Sequence, residues 1–120
     1  MKKKRLRSTA DQLWIISCVK KWGQNCGSCG KHSGQVHHFF PKGAFGMLRY
    51  EIDNGVPLCV SCHMGIHFSG NPMINEVIKE NRGNKWFKSL IEKSKQKAIS
   101  ITTVGWYKDN IEKLTKFLEE

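Results

Sequence analysis

Two matched cysteine pairs constrain this chain more than any other feature of its sequence. Cys26 and Cys29 form one Cys-x2-Cys pair, and Cys59 and Cys62 form the other. The turn within each pair can place two thiolates on adjacent corners of a tetrahedron, and four soft thiolate ligands suit Zn²⁺. The spacing therefore predicts a closed structural zinc site whose binding free energy, on the order of 10 kcal/mol, stabilises the fold.

Disulfide bonds or two unrelated turns are the alternatives to zinc at these cysteines. The basic N-terminus is followed by only a short apolar run with no small-residue cleavage site, so we predict neither an export signal nor a membrane span. We therefore expect a cytoplasmic, reducing location, which includes the case of a phage protein inside a bacterial host. Paired cysteines in such a location are more often metal ligands than disulfides.

Apolar periodicity predicts helices on both sides of the cysteine-rich centre. Residues 1–7 are expected to form a mobile basic arm, and Thr9 and Gln12 have the spacing of a capping box that begins a helix ending near Gly23. Trp14 and Cys18 share one face of that helix, so Cys18 is expected to pack in the core. At 120 residues the chain has room for one domain, predicted over residues 8–120 with its centre at 24–70 and helices at 71–120.

All five histidines lie in the central segment, where clustering indicates a shared task. His63 and His67 are four residues apart on a predicted helix, so both imidazoles project from one face and can bind one metal ion. His37 and His38 are adjacent on a predicted strand and face opposite sides, so a bulge or bend would be needed to bring both near one phosphate. His32 is expected to be a loop residue.

The order of these residues resembles the HNH endonuclease family, specifically its zinc-containing, phage-type branch. The resemblance covers residues 26–67 and rests on Cys26-x2-Cys29, His37-His38, Asn54 and the block Leu58-Cys59-x2-Cys62-His63-x3-His67. It implies an α+β fold: a small zinc-stabilised ββα-metal (His-Me finger) core with flanking helices.

The resemblance also implies roles for individual residues. His37, His63 and His67 would bind one catalytic divalent ion, which could be Mg²⁺, Mn²⁺ or Ni²⁺. His38 would be the general base, and Asn54 would hold the loop and the base in position. Many members carry Asp at the position of His37, which leaves the preferred metal open.

The net charge of +10 favours a polyanionic partner, and the resemblance implies duplex or branched DNA. The candidate DNA-binding residues are Lys2, Lys3, Lys4, Arg5, Arg7, Lys42 and Arg49. A homodimer or a phage protein partner stays open, as does activity on RNA.

The function predicted from these features is metal-dependent DNA cleavage that leaves 5′-phosphate and 3′-hydroxyl ends. Branched-DNA resolution, nicking and packaging are the phage roles that fit. The alternatives are a non-catalytic zinc-containing nucleic-acid-binding module and a zinc-stabilised protein-interaction domain. Neither alternative has a use for clustered histidines and Asn54 at their motif spacing.

Overall fold

The computed structural model describes residues 2–96 and 100–120, which form five α-helices and one two-stranded antiparallel sheet. The elements are α1 (Lys2–Trp22), β1 (Gln35–His38), β2 (Gly55–Leu58), α2 (Val60–His67), α3 (Pro72–Arg82), α4 (Asn84–Ser94) and α5 (Val104–Glu119). The predicted α+β class is therefore confirmed. Two strands followed directly by α2 are the ββα arrangement that the resemblance implied.

Helix α1 begins earlier than the sequence predicted. It is helical from Lys2, so the expected mobile arm at residues 1–7 is wrong over residues 2–7. The reason is local, because straight-chain Lys, Arg and Leu residues are good helix formers and no Gly or Pro interrupts them before Thr9. The end of the helix is as predicted: Gly23 has φ of +85°, and its N–H donates to the carbonyl of Val19 at 2.8 Å.

One apolar cluster joins α1 to α5. Its buried members are Ala10, Trp14, Cys18, Tyr50, Tyr107 and Leu114. Cys18 is fully buried, as predicted, and burial raises the pKa of its thiol to about 12, so it is an unreactive packing residue.

A second apolar cluster lies on the other side of the sheet, where α3 and α4 pack. Its buried residues include Val56 and Leu58 of β2, Ile78 of α3, and Trp86 and Leu90 of α4. Asn71 and Thr103 cap α3 and α5 through their side-chain oxygens. Among the described residues, no helix is both long and apolar enough to cross a membrane.

Gly55 is the point where the sheet and α1 approach most closely. It pairs with His38 in the antiparallel register, and a Cβ at this position would overlap Sγ of Cys18 and lie 3.0 Å from the ring of Trp14. Because Gly55 has no side chain, α1 can lie this close to the end of β1. The same approach brings α1 against His38.

We expect Gly55→Ala to lower the free energy of unfolding by about 1–3 kcal/mol, because the added methyl forces α1 away from the sheet. Gly43→Ala is the matched control, since a Cβ at Gly43 meets nothing within 4 Å. Urea unfolding of both variants checks the prediction. Equal stability of the two variants would contradict the close packing of α1 on β2.

Candidate metal centres and active site

The four cysteines converge on one point, with their sulfur atoms all within 4.8 Å of one another. The Sγ atoms of Cys29 and Cys59 are 3.6 Å apart. This separation is far longer than a disulfide bond of about 2.05 Å. It is close to the edge of a zinc–thiolate tetrahedron, about 3.8 Å, which follows from Zn–S bonds of about 2.3 Å. The donor set and its spacing therefore fit zinc.

Backbone N–H groups donate to two sulfur atoms of the cysteine cluster and favour the thiolate form. Sγ of Cys26 accepts from the N–H groups of Ser28 and Cys29 at 3.4 and 3.5 Å, and Sγ of Cys59 accepts from that of Cys62 at 3.4 Å. Burial raises the pKa of the Cys26 thiol, but the N–H donors outweigh burial and lower that pKa to about 6. The segment around Cys26 is also bonded to β2, because Gly27 N–H donates to the Pro57 carbonyl at 2.7 Å.

Three histidines form a second candidate metal centre. His37 of β1 and His63 and His67 of α2 bring one ring nitrogen each within 4.8 Å of the others. The i, i+4 spacing on α2 places His63 and His67 on one face, and β2 leads directly into α2, so that face lies against β1. Three imidazoles on one side suit a first-row divalent ion and leave coordination positions open. The structure thus brings together the three residues that the resemblance named as catalytic metal ligands.

The surroundings of His37 and His63 lower the pKa of each ring and favour the neutral imidazole. Burial, followed by repulsion from His63 and His67, lowers the pKa of His37 to about 4. The carboxamide of Gln35 contacts Nδ1 of His63. The contacting atom is the amide nitrogen, which can only donate, so Nδ1 of His63 is the acceptor. Neutral imidazoles are the metal-binding form, so the lowered pKa values of His37 and His63 favour binding of an ion.

β1 is regular along its whole length, so the bulge that could bring His37 and His38 near one phosphate is absent and His38 faces away from the triad. The register runs without a bulge from Gln35 opposite Leu58 to His38 opposite Gly55. The His38 ring stacks on Trp14, with centroids 4.0 Å apart and planes inclined by 8°. Its Nε2 lies 3.0 Å from the carbonyl oxygen of Arg49. A carbonyl can only accept, so Nε2 carries the proton and Nδ1 keeps a free lone pair.

Asn54 is fully buried and ties together the loop that follows β1. Its Oδ1 accepts from the N–H of Phe40 at 2.8 Å, and its Nδ2 donates to the carbonyls of Phe40 and Leu48 at 3.1 and 3.3 Å. These bonds link the end of β1 to the turn that precedes Arg49. Asn54 thus has the contacts of a loop-holding residue and does not lie among the candidate metal ligands.

The remaining predicted residues lie outside both centres. Arg49 is engaged within the chain, because its guanidinium forms hydrogen bonds of 3.0–3.2 Å with the carboxylate of Asp11. Lys42 is exposed, as are Lys2, Lys3, Lys4, Arg5 and Arg7 on the first turns of α1. His32 is an exposed residue in a bridge with Asn25, close to the cysteine cluster.

Sequence reasoning missed the residues that surround His38. Trp14 had been assigned only to packing, and Asp11, which binds both Arg49 and the hydroxyl of Tyr50, had been given no structural role. Asp11 and Trp14 are three residues apart on α1, a spacing that places them on one face. The sequence shows this spacing, but the spacing by itself does not predict a contact with His38. Asp53, the neighbour of Asn54, pairs with Lys21 and Lys93.

Comparison with protein-family models finds a match to HNH endonuclease over residues 24–69, a range that runs from the first cysteine pair to the end of α2. Comparisons with curated proteins and with solved structures returned no significant match. The matched range contains both metal centres and Asn54, and it leaves out α1 and the helices from α3 onwards. Residues 24–69 are therefore similar to HNH endonucleases, and the match covers less than half of the chain.

Proposed function

We propose that this protein is a divalent-metal-dependent DNA endonuclease that uses His38 as general base and one ion held by His37, His63 and His67. The observation that carries the proposal is the convergence of those three imidazoles within 4.8 Å, on the strand and helix that follow the family's order. A closed four-cysteine site has no position for substrate, so the cysteines would have a structural role. The histidine triad is the centre that can do chemistry.

Phosphodiester hydrolysis needs an activated water and positive charge beside the phosphate. When bound, a divalent ion such as Mg²⁺, Mn²⁺ or Ni²⁺ would supply that charge to the phosphate and to the leaving 3′ oxygen. Burial lowers the pKa of His38, so its imidazole is neutral near pH 7 and able to take a proton. The Arg49 carbonyl holds Nε2–H, and Nδ1 of this half-buried ring would accept the proton of the attacking water. Because His38 and the triad lie on opposite faces, the phosphate would have to bind at the end of β1, where His38 is the last residue.

The charge distribution supports DNA as the substrate. The exposed Lys and Arg side chains on the first turns of α1 form a basic helical extension. The whole chain, including this extension, carries a net charge of +10. Contacts of this kind go mainly to phosphates, so binding would be weakly sequence-specific and would fall steeply with salt. Cleavage would leave 5′-phosphate and 3′-hydroxyl ends. Nicking, packaging and resolution of branched DNA are the phage roles we propose for it.

The test is cleavage of supercoiled plasmid and of a four-way junction by zinc-loaded protein, with and without each divalent ion. We expect cutting only with the ion. We expect His67→Ala to raise the ion concentration needed for half-maximal cutting by roughly 10–100-fold, because one of three ligands is lost. His67 is exposed, so its replacement should leave folding unchanged.

His32→Ala is the matched control, because His32 is equally exposed and lies outside the triad. It should cut like the wild type at every ion concentration. Equal ion dependence in the two variants would contradict the assignment of the triad. If no variant cuts but all bind DNA, the non-catalytic zinc-containing binding module is the correct function.

A further inference from the structure

We propose that Asp11 and Trp14 of α1 are positioning residues for His38, so that the active site extends beyond the matched family segment. Trp14 stacks on the His38 ring. Asp11 binds the side chain of Arg49, whose carbonyl oxygen accepts a hydrogen bond from His38. This inference rests on the proposed function, because it assigns these residues to the same reaction.

Trp14 determines the plane of the His38 ring. The two rings are nearly parallel and in contact, and the indole is only 2% exposed. Its Nε1 donates to the carbonyl of Glu51 at 2.8 Å, which fixes the indole in its own plane. A ring held on one side by an immobile aromatic face keeps little freedom to tilt. The free nitrogen of His38 therefore has one defined direction.

Asp11 determines where the carbonyl that bonds His38 lies. Its carboxylate binds the guanidinium of Arg49 at 3.0 Å and accepts from the hydroxyl of Tyr50 at 2.7 Å. Arg49 and Tyr50 are consecutive, so both side chains flanking one peptide bond are attached to the same carboxylate. The carbonyl of Arg49 is part of that peptide bond, and it accepts from His38 Nε2 at 3.0 Å. Asp11 thus acts on His38 through the backbone of Arg49.

Helix α1 is suited to this task because it is anchored independently of the loop. It packs along α5 through the cluster that includes Tyr107 and Leu114. Asp11 and Trp14 lie one turn apart on one helix face, so a single rigid element sets both constraints. Removing a residue that positions a catalytic group lowers the reaction rate. A misplacement of about 1 Å can lower that rate on the order of 100-fold.

The experiment compares kcat and DNA affinity in zinc-loaded Trp14→Leu, Trp14→Phe and Trp22→Leu at saturating divalent ion. We expect kcat of Trp14→Leu to fall on the order of 100-fold, with the Kd for DNA within about twofold of wild type. Trp14→Phe keeps an aromatic face and should recover most of the lost rate. Trp22→Leu is the matched control: the same change on the same helix, at a half-buried ring that contacts Arg82 rather than His38.

Asp11→Ala provides a second test at a side chain that belongs to neither apolar cluster and is 39% exposed. We expect kcat to fall on the order of 10-fold with unchanged DNA affinity, and Asp11→Asn, which retains one acceptor oxygen, to lie between it and the wild type. If Trp14→Leu is unfolded, the two Asp11 variants alone decide the inference.

The outcomes separate this inference from the proposed function. Absence of cutting by the wild type would overturn the proposed function and this inference with it. Cutting by the wild type with unchanged kcat in folded Trp14→Leu, or in Asp11→Ala, would overturn only the inference. A fall in kcat that Trp22→Leu shares equally would also overturn it, because that result is general destabilisation.

Discussion

Loss of zinc is expected to unfold the centre of this protein, and Cys59→Ser should have the same effect. The centre has strands of four residues and a helix of eight, which are too short to be stable by themselves. A structural zinc site contributes on the order of 10 kcal/mol or more, which equals the whole stability of a typical domain. Cys59 also begins α2 as its N-cap residue, so its loss frees both the metal and the helix start.

The measurement is zinc content together with thermal unfolding followed by circular dichroism. We expect wild-type protein to hold one zinc ion per chain and the Cys59→Ser protein to hold none and to show no cooperative transition. Cys18→Ala is the matched control, because Cys18 is a buried cysteine outside the cluster. It should keep its zinc and lose only about 1 kcal/mol of stability. A cooperative, wild-type transition in zinc-free Cys59→Ser would contradict the structural role of the metal.

His38→Ala should reduce the cleavage rate by about 10²–10⁴-fold, because that is the usual contribution of a general base. The variant removes the imidazole but leaves the histidine triad and the cysteine cluster intact, so zinc content and DNA affinity should stay at wild-type values. Single-turnover cleavage at saturating divalent ion is the appropriate measurement, since it isolates the chemical step from product release.

Chemical rescue distinguishes a missing base from a disturbed fold. His38→Ala leaves a space against the face of Trp14, and added imidazole should bind there and restore part of the rate. No rescue is expected for His67→Ala at saturating ion, because its defect is metal affinity. Undiminished cutting by folded His38→Ala would exclude His38 as the base and leave the triad as the source of catalysis.

Local patterns were sufficient for most of the secondary structure and for the residue pairs within each candidate metal centre. The cysteine pairs and the His63–His67 pair are short-range spacings, so a turn or one helical turn is enough to bring their side chains together. The start of α3 at Asn71-Pro72 and the end of α1 at Gly23 follow equally from local chemistry. The start of α1 was not predicted correctly. A capping signal at Thr9 does not end the helix there, because the residues before Thr9 also favour helix formation.

The sequence by itself thus determined the two cysteine pairs, the His63–His67 pair and the match to the HNH endonuclease family model, because these depend on residue types at fixed short intervals. Only the tertiary structure decided the surroundings of His38. Trp14 contacts it across 24 positions of chain, and Asp11 reaches Arg49 across 38. Contacts at that separation depend on how closely α1 packs against Gly55. The periodicity of α1 predicts which of its faces is buried, but not which residues elsewhere in the chain that face contacts.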